Sequence, residues 1–396
     1  MALRTDRNLH LLFASLLLWM FGIALYEHLI PIHARNLGAS AVELGTLFTL
    51  RHLGLAVGFL IGWAVVDRLS RRTLMVASWL LGVPVPLMLA AAPTYLWLLP
   101  GLLLYELTYF GLPAIQAYVA DRVPAGERAS AYGIMGTITS VGFLVSPTAG
   151  GAMADRWGIP TVLVVASVLF LLSAILIFRV QHSGPGTMPA AGSARLSWQD
   201  VRPLLPVLAF YAGTQLVVYL TVPFLAPFLR EVRRLSLAEI GVLGSMVAVG
   251  AVALTPVAGR LGDRFGTAPV LAGQLVVFAM GILLTVLGPA ALLPLFAVLR
   301  CRAPLNALAQ AMIGARAPSA IVGRTFSIAG MLSALLAAFG SFVGGFAYRA
   351  DPALPLYLSA GLAITLGVAL LRGTGSAASL PADARPAADP PEAGEP

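Results

Sequence analysis

Lysine is missing from this sequence: all 25 basic residues are arginine. That removes the lysine of a nucleotide-binding P-loop and of a Schiff base, and so excludes an ATP-driven pump with its own nucleotide site on this chain. Cys301 is the one cysteine, which excludes an intrachain disulfide and a cysteine metal cluster. Charge is scarce, at 11% of residues, where soluble domains carry about 25%. Hydrophobic residues fill the space, at 59%, with a mean hydropathy of +0.88. A chain of 396 residues with that balance has no water-soluble core to build, and reads as an all-α polytopic membrane protein in a lipid bilayer. The formal charge of +8 would suit nucleic acid, but the arginines are dispersed in short loops between apolar runs, so no nucleic-acid partner is expected. Residues 1–7 make a short basic start. The apolar run that follows is long enough to remain as a helix rather than be cleaved as a signal.

A membrane-spanning helix needs about 20 mostly apolar residues. The sequence offers twelve such stretches: 9–31, 43–66, 73–92, 95–120, 129–153 and 160–179, then 204–229, 237–261, 268–288, 290–315, 324–348 and 353–371. Residues 181–203, rich in Gly, Pro and Ser, read as a linker on the cytoplasmic side. Residues 373–396 are low in complexity and read as a disordered tail. Two six-helix halves result, 1–180 and 204–372. With both termini placed in the cytoplasm, sixteen arginines fall on inner segments and six on outer ones, leaving Arg51, Arg300 and Arg302 inside spans. That bias predicts a multi-pass protein of the cytoplasmic (inner) membrane with both ends inside. The run REVRR at 230–234 is a local exception.

The halves repeat. Pro31 matches Pro227, Asp67 matches Asp263 and Arg128 matches Arg324, all at an offset of 196; Arg122 matches Arg316 and Gly150-Gly151 matches Gly344-Gly345 at 194. Several coincidences at nearly one offset, in matching helix-end contexts, indicate a parallel internal repeat. The first repeat carries GWAVVDRLSRR from Gly62 to Arg72 and the second GRLGDRFG from Gly259 to Gly266; GAMADRWG, 151–158, is a weaker third echo.

These residues resemble the major facilitator superfamily, over nearly the whole chain. Its loop signature between the second and third helices is G-x-L-x-D-R-x-G-R-R. Asp67, Arg68, Arg71 and Arg72 fit it, while Trp63 and Ser70 replace its glycines. The resemblance implies a cytoplasmic gate, with Asp67 facing the N-terminus of the helix that starts near Arg324 and with Arg68, Arg71, Arg72, Asp121, Arg128, Asp263 and Arg264 around it. The bland reading is that these charges only set topology. GFLVSPTAGG on the fifth helix resembles the antiporter motif of the drug-efflux branch through Gly142, Pro147, Gly150 and Gly151, with Ser146 in place of a glycine. The arginine usual on the fourth helix of proton-coupled relatives is absent; Leu107 stands there, beside Glu106.

Ionisable groups deep in spans are costly and default to function. Glu27 and Glu106 are the candidate proton carriers. The cavity candidates are Tyr26, Tyr109, Gln116, Gln215, Tyr219, Arg300, Arg302, Asn306 and Gln310, on the helices 1, 4, 7 and 10 that line the cavity in the family. Glu106 and Arg300 share the offset of 194, as do Gln116 and Gln310, and are expected to face each other across the repeat axis. The structural alternatives are that Glu27 pairs with Arg51 and that Glu106 pairs permanently with an arginine. His28, His33 and His52 gather near the outer face; interfacial histidines explain them more simply than a zinc site or pH sensor, and no metal or cofactor is expected. The resemblance thus implies an alternating-access secondary transporter with a small-molecule substrate and protons as its partners, acting as a monomer. Specifically it implies a proton-coupled exporter of amphiphilic or drug-like molecules. The alternative is a carrier of an anionic metabolite or sugar-like solute held by Arg300 and Arg302. A membrane enzyme or receptor is the remote alternative: no nucleophile with its base and no metal constellation is visible in the spans.

Overall fold

The computed structural model describes residues 6–65, 69–124, 127–181, 202–317 and 322–377, with backbone alone for 62–65, 128–129, 322–324 and 373–377. The linker residues 182–201 and the tail from 378 lie outside that description. The described chain is helical throughout. Its segments are α1 (Arg7–Asn36), α2 (Ala41–Val65), α3 (Arg71–Ala90), α4 (Tyr95–Arg122), α5 (Arg128–Trp157) and α6 (Ile159–Phe178), then α7 (Arg202–Glu231), α8 (Leu237–Phe265), α9 (Thr267–Leu287), α10 (Ala290–Arg316), α11 (Val322–Ala350) and α12 (Leu354–Ala377).

Eleven of these segments are long and apolar enough to cross a membrane. The other is α5, which at 30 residues has the length but is diluted by Gly, Ser and Thr. Its packing explains that composition: α5 lies between α1 and α8, and helices that meet other helices inside a bilayer use small residues so that their backbones approach. α12 continues to Ala377, past the expected end of its span at 371.

The two halves pack alike. α1 lies against α5 and α6, as α7 lies against α11 and α12; α2 pairs with α4 as α8 pairs with α10. The repeat extends to the caps. Ser40 and Glu43 exchange backbone bonds at the start of α2 (2.7 and 3.3 Å), and Ser236 and Glu239 do the same at the start of α8 (2.7 and 3.1 Å), 196 residues later. These capping boxes satisfy amides that a helix start leaves open.

The halves meet along two crossings, α2 with α11 and α5 with α8. A Cβ added at Gly45 would stand 2.6 Å from Ser341 O and 3.0 Å from Gly345 Cα, and one at Gly241 would meet the Gly151 Cα at 3.0 Å. Gly45 and Gly241 are 196 apart and Gly151 and Gly345 are 194 apart, so this is one contact made twice. Both crossings lie toward the face opposite the one where α1 begins and α12 ends. We call these the distal and terminal faces.

A second regularity places the site. α1, α4, α7 and α10 each break near mid-course: at Glu27–Leu29, Thr108–Gly111, Leu220–Thr221 and Arg300–Arg302. A proline follows each break, Pro31, Pro113, Pro223 and Pro304. Proline lacks the N–H that would bond the carbonyl four residues back. The carbonyls that lose an α-helical partner are therefore those of Glu27, Tyr109, Tyr219 and Arg300, four of the candidate site residues. Broken helices are tolerated at membrane depth only where they are buried in protein or line a cavity.

Candidate functional site at the broken helices

Arg51 of α2 is the centre of the site. Its Nη1 donates to Glu27 Oε1 at 2.7 Å and its Nε to Glu106 Oε1 at 2.5 Å. Arg51 and Glu106 are nearly sealed, with side chains 9% and 5% exposed, whereas the side chain of Glu27 is 33% exposed. Two carboxylates share one guanidinium, so the ionised triad carries a net charge of −1. Such a charge away from water needs compensation. The expectation that Glu106 faces Arg300 is therefore corrected: its carboxylate is taken by Arg51, which is buried with it in the first half, while Arg300 lies in the second. The pairing with an arginine, weighed above only as a structural alternative, is the one that forms.

Next to Arg51, His52 sets its ring edge against Tyr219 of α7, with centroids 4.4 Å apart. Tyr219 Oη accepts from Arg302 Nη1 at 3.0 Å, and the Arg302 guanidinium lies 5.6 Å from the ring centroid. This chain of contacts carries the site across from one half to the other. Tyr26 is buried, its hydroxyl without a hydrogen-bond partner among the described residues. Tyr105 and Tyr109 meet edge to face at 6.0 Å. Gln215 donates to Asn306 Oδ1 at 2.9 Å, tying α7 to α10, so this pair is already engaged. Gln116 and Gln310 are both exposed.

A family model described as Major Facilitator Superfamily matches residues 11–233 and 207–394. The chain belongs to the major facilitator superfamily. Among curated relatives, it is 28% identical to the multidrug resistance protein MdtG of Proteus mirabilis over 81% of this chain and 84% of that one. It is 30% identical to MdtG of Klebsiella pneumoniae over 63% of each, so this match spans under two thirds of that relative. Among solved structures, the nucleoside transporter NupG superposes with a TM-score of 0.77 at 13% identity, covering 93% of this chain and 99% of that one. The peptide transporter POT in complex with sulfate gives 0.76 at 16%, covering 94% and 95%. Both likenesses are of fold.

The superfamily's loop motif accounts for the terminal face only in part. Asp67 and Arg68 lie outside the described residues, as do the side chains of Arg128 and Arg324. The described members act within their own halves. Arg71 is ion-paired with Asp121 and donates to Ala117 O at 3.3 Å. Arg72 donates to Val180 O and Phe178 O at 2.7 and 2.9 Å, closing the C-terminus of α6. Asp263 is exposed, and Arg264 stacks on Phe265. Nearby, Asp6 caps α1 through Asn8 N at 2.8 Å and holds Arg122 at 3.0 Å. Burial pushes this carboxyl up, but the bonds from Arg122 and the helix start outweigh it and leave it below the ordinary range.

Described bonds between the halves gather instead on the distal side. Asp155, inside the third echo of the loop motif, accepts from Leu237 N and Ala238 N at 2.9 Å each. It places a carboxylate on the positive end of α8, the role expected of Asp67 at the other face. Arg35 and Glu231, 196 residues apart, pair at 2.8 Å, so repeat-equivalent positions of opposite charge meet; Tyr348 donates to the same carboxylate at 3.0 Å. Thr148 Oγ1 with Ser245 Oγ (2.8 Å) and Thr49 Oγ1 with Ala338 O (3.0 Å) add neutral links. The antiporter-like motif supplies the small surfaces here: Gly142 and Gly150 lie on Met20 and Leu25 of α1, while Pro147 and Gly151 lie on α8. Ser146 is buried, its hydroxyl without a hydrogen-bond partner among the described residues.

Two of the three histidines are engaged separately: His33 Nε2 lies 3.0 Å from Leu89 O, while His52 is against Tyr219. The arginine excess in REVRR also has local work, since Arg233 bonds Val286 O and Gly288 O (3.2 and 2.6 Å) at the end of α9, where a cation complements the helix dipole. Asp155 was the residue of these contacts least visible beforehand, its one signal an aspartate just before an arginine at a helix end.

Proposed function

We propose that the chain is a proton-coupled secondary transporter, working by alternating access, that exports small amphiphilic or drug-like molecules and catalyses no chemical step. The carrying observation is the triad of one arginine shared by two carboxylates at the broken helices. Its surplus negative charge is neutralised by one proton or by the cationic group of a substrate, and not by both. That exclusion is antiport. Glu27, with a third of its side chain exposed, is the exchanging group, and Glu106 remains with Arg51. The distal face is closed in this state, so release on that side follows when the crossings between α2 and α11 and between α5 and α8 part. The terminal face is the cytoplasmic one in this reading, the membrane is the inner membrane, and the monomer is the working unit. The name multidrug resistance protein carried by the MdtG relatives supports the choice of drug-like cargo.

The test is transport of lipophilic cations in proteoliposomes with an imposed pH gradient. Glu27→Gln leaves the triad neutral, as protonation does, and is expected to weaken binding of the lipophilic cation and to lose gradient-driven transport; full gradient-driven transport by this variant sinks the assignment.

A further inference from the structure

The second half holds two arginines at mid-span and no carboxylate to match them. Its four acids within 204–372, Glu231, Glu239, Asp263 and Asp351, all sit at helix ends. Arg302 is engaged by Tyr219, as above. Arg300 pairs with no carboxylate among the described residues, and its buried Nε has no hydrogen-bond partner among them. Both arginines line a partly open cavity of about 110 Å³ between α7, α8, α9 and α10. The rest of its wall is nearly all apolar, with Val218 and Leu225, Val247, and Phe278 and Ile282. The one further hydroxyl, of Thr221, is already given to Val218 O at 2.9 Å. An unpaired guanidinium at this depth is costly, and its planar fork of donors fits an oxyanion in two-point contact. The cavity has room for a group of that size. Through Arg302 and Tyr219 it adjoins the space where the first half presents Glu27.

We propose that this chamber is an anion subsite and that the transported molecule is therefore zwitterionic, with a cationic group at Glu27 beside Arg51 and a carboxylate or other oxyanion at Arg300 and Arg302. This rests on the exporter reading above and deepens it. Each half then holds one pole of the cargo. A molecule with both poles draws the halves together around itself, and one with a single pole engages one half.

The test uses three probes with one aromatic body: phenethylamine, phenylalanine and 3-phenylpropionate. Binding to the purified protein is read by titration calorimetry. Wild type is expected to bind phenylalanine about tenfold more tightly than phenethylamine, the lower end of what hydrogen bonds to a charged group supply. Arg300→Gln is expected to remove that preference and leave phenethylamine affinity unchanged, while Arg300→Lys keeps part of it. A wild-type affinity for phenylalanine no greater than for phenethylamine, including no binding of either, overturns the proposal without any variant. So does Arg300→Gln that keeps the full preference or weakens both probes equally. Gradient-driven movement of phenylalanine and of phenethylamine is measured alongside. Absence of both overturns the proton-coupled exporter; movement with no binding preference for the zwitterion overturns the subsite alone.

Discussion

Replacing Arg51 with methionine keeps an unbranched, flexible stem and removes the one cation that Glu27 and Glu106 share. Removing one partner of a buried ion pair costs about 3–5 kcal/mol, because a charge is left stranded rather than because the pair itself is so strong. Arg51 and Glu106 meet that condition, with side chains 9% and 5% exposed, whereas Glu27 at 33% recovers part of its hydration. The expected loss is accordingly near the lower end, about 3 kcal/mol. If stranding is the cause, Arg51→Met with Glu106→Gln must be more stable than Arg51→Met alone, by an interaction of about 1–3 kcal/mol, as contacting residues in one network show. The assay is unfolding of the detergent-solubilised protein, by heat and by denaturing detergent, for wild type, both single variants and the double. A single variant within 1 kcal/mol of wild type, or a double variant no more stable than Arg51→Met, would refute the reasoning.

Other consequences follow from the same contacts. Gly45→Ala puts a methyl 2.6 Å from Ser341 O; it is expected to hold the distal face open, read as a longer spin-label distance between α2 and α11 in a Cys301→Ser background, and an unchanged distance counts against the crossing as the closing surface. Exchanging Arg35 and Glu231, as R35E with E231R, is expected to restore closure that each single change weakens; both groups are partly exposed, so each single effect is at most about 1 kcal/mol, and equal behaviour of singles and double would show that the pair does not hold the halves. Asp155→Ala removes the acceptor for two amides at the start of α8. It is expected to widen the distance between labels at Trp157 and Val232, and no change would assign closure to the glycines alone.

The order of helices and the repeat were legible because both are written in one dimension: apolar length for each span and constant offsets for the halves. α5 was legible as a helix even though small residues dilute its apolarity, since those residues serve a helix interface rather than lipid. Glu27 and Glu106 stood out because carboxylates inside apolar runs are rare. The Glu27–Arg51 pair was legible as an alternative, but that Glu106 shares the same arginine was not, since Arg51 lies on a third helix and three positions with no common spacing meet only when α1, α2 and α4 pack. Arg300 shares an offset with Glu106, but equivalence in a repeat relates positions and does not make them touch. Arg35 and Glu231 share one too and do touch, because they lie close to the axis that relates the halves. The breaks could have been read from Pro31, Pro113, Pro223 and Pro304, each set within a few residues of a site residue. With 28 prolines spread along the chain, the sequence does not single these four out.

The central claim is that a proton and the cationic group of the cargo compete for the charge left over at Glu27, Arg51 and Glu106. The direct measurement is proton release on cargo binding to the purified protein, in a weakly buffered cell or by calorimetry in buffers of different ionisation enthalpy. About one proton is expected to be released per cationic group bound, and none from Glu27→Gln. Cargo binding that releases no proton at any pH, or the same release from the variant, would contradict it.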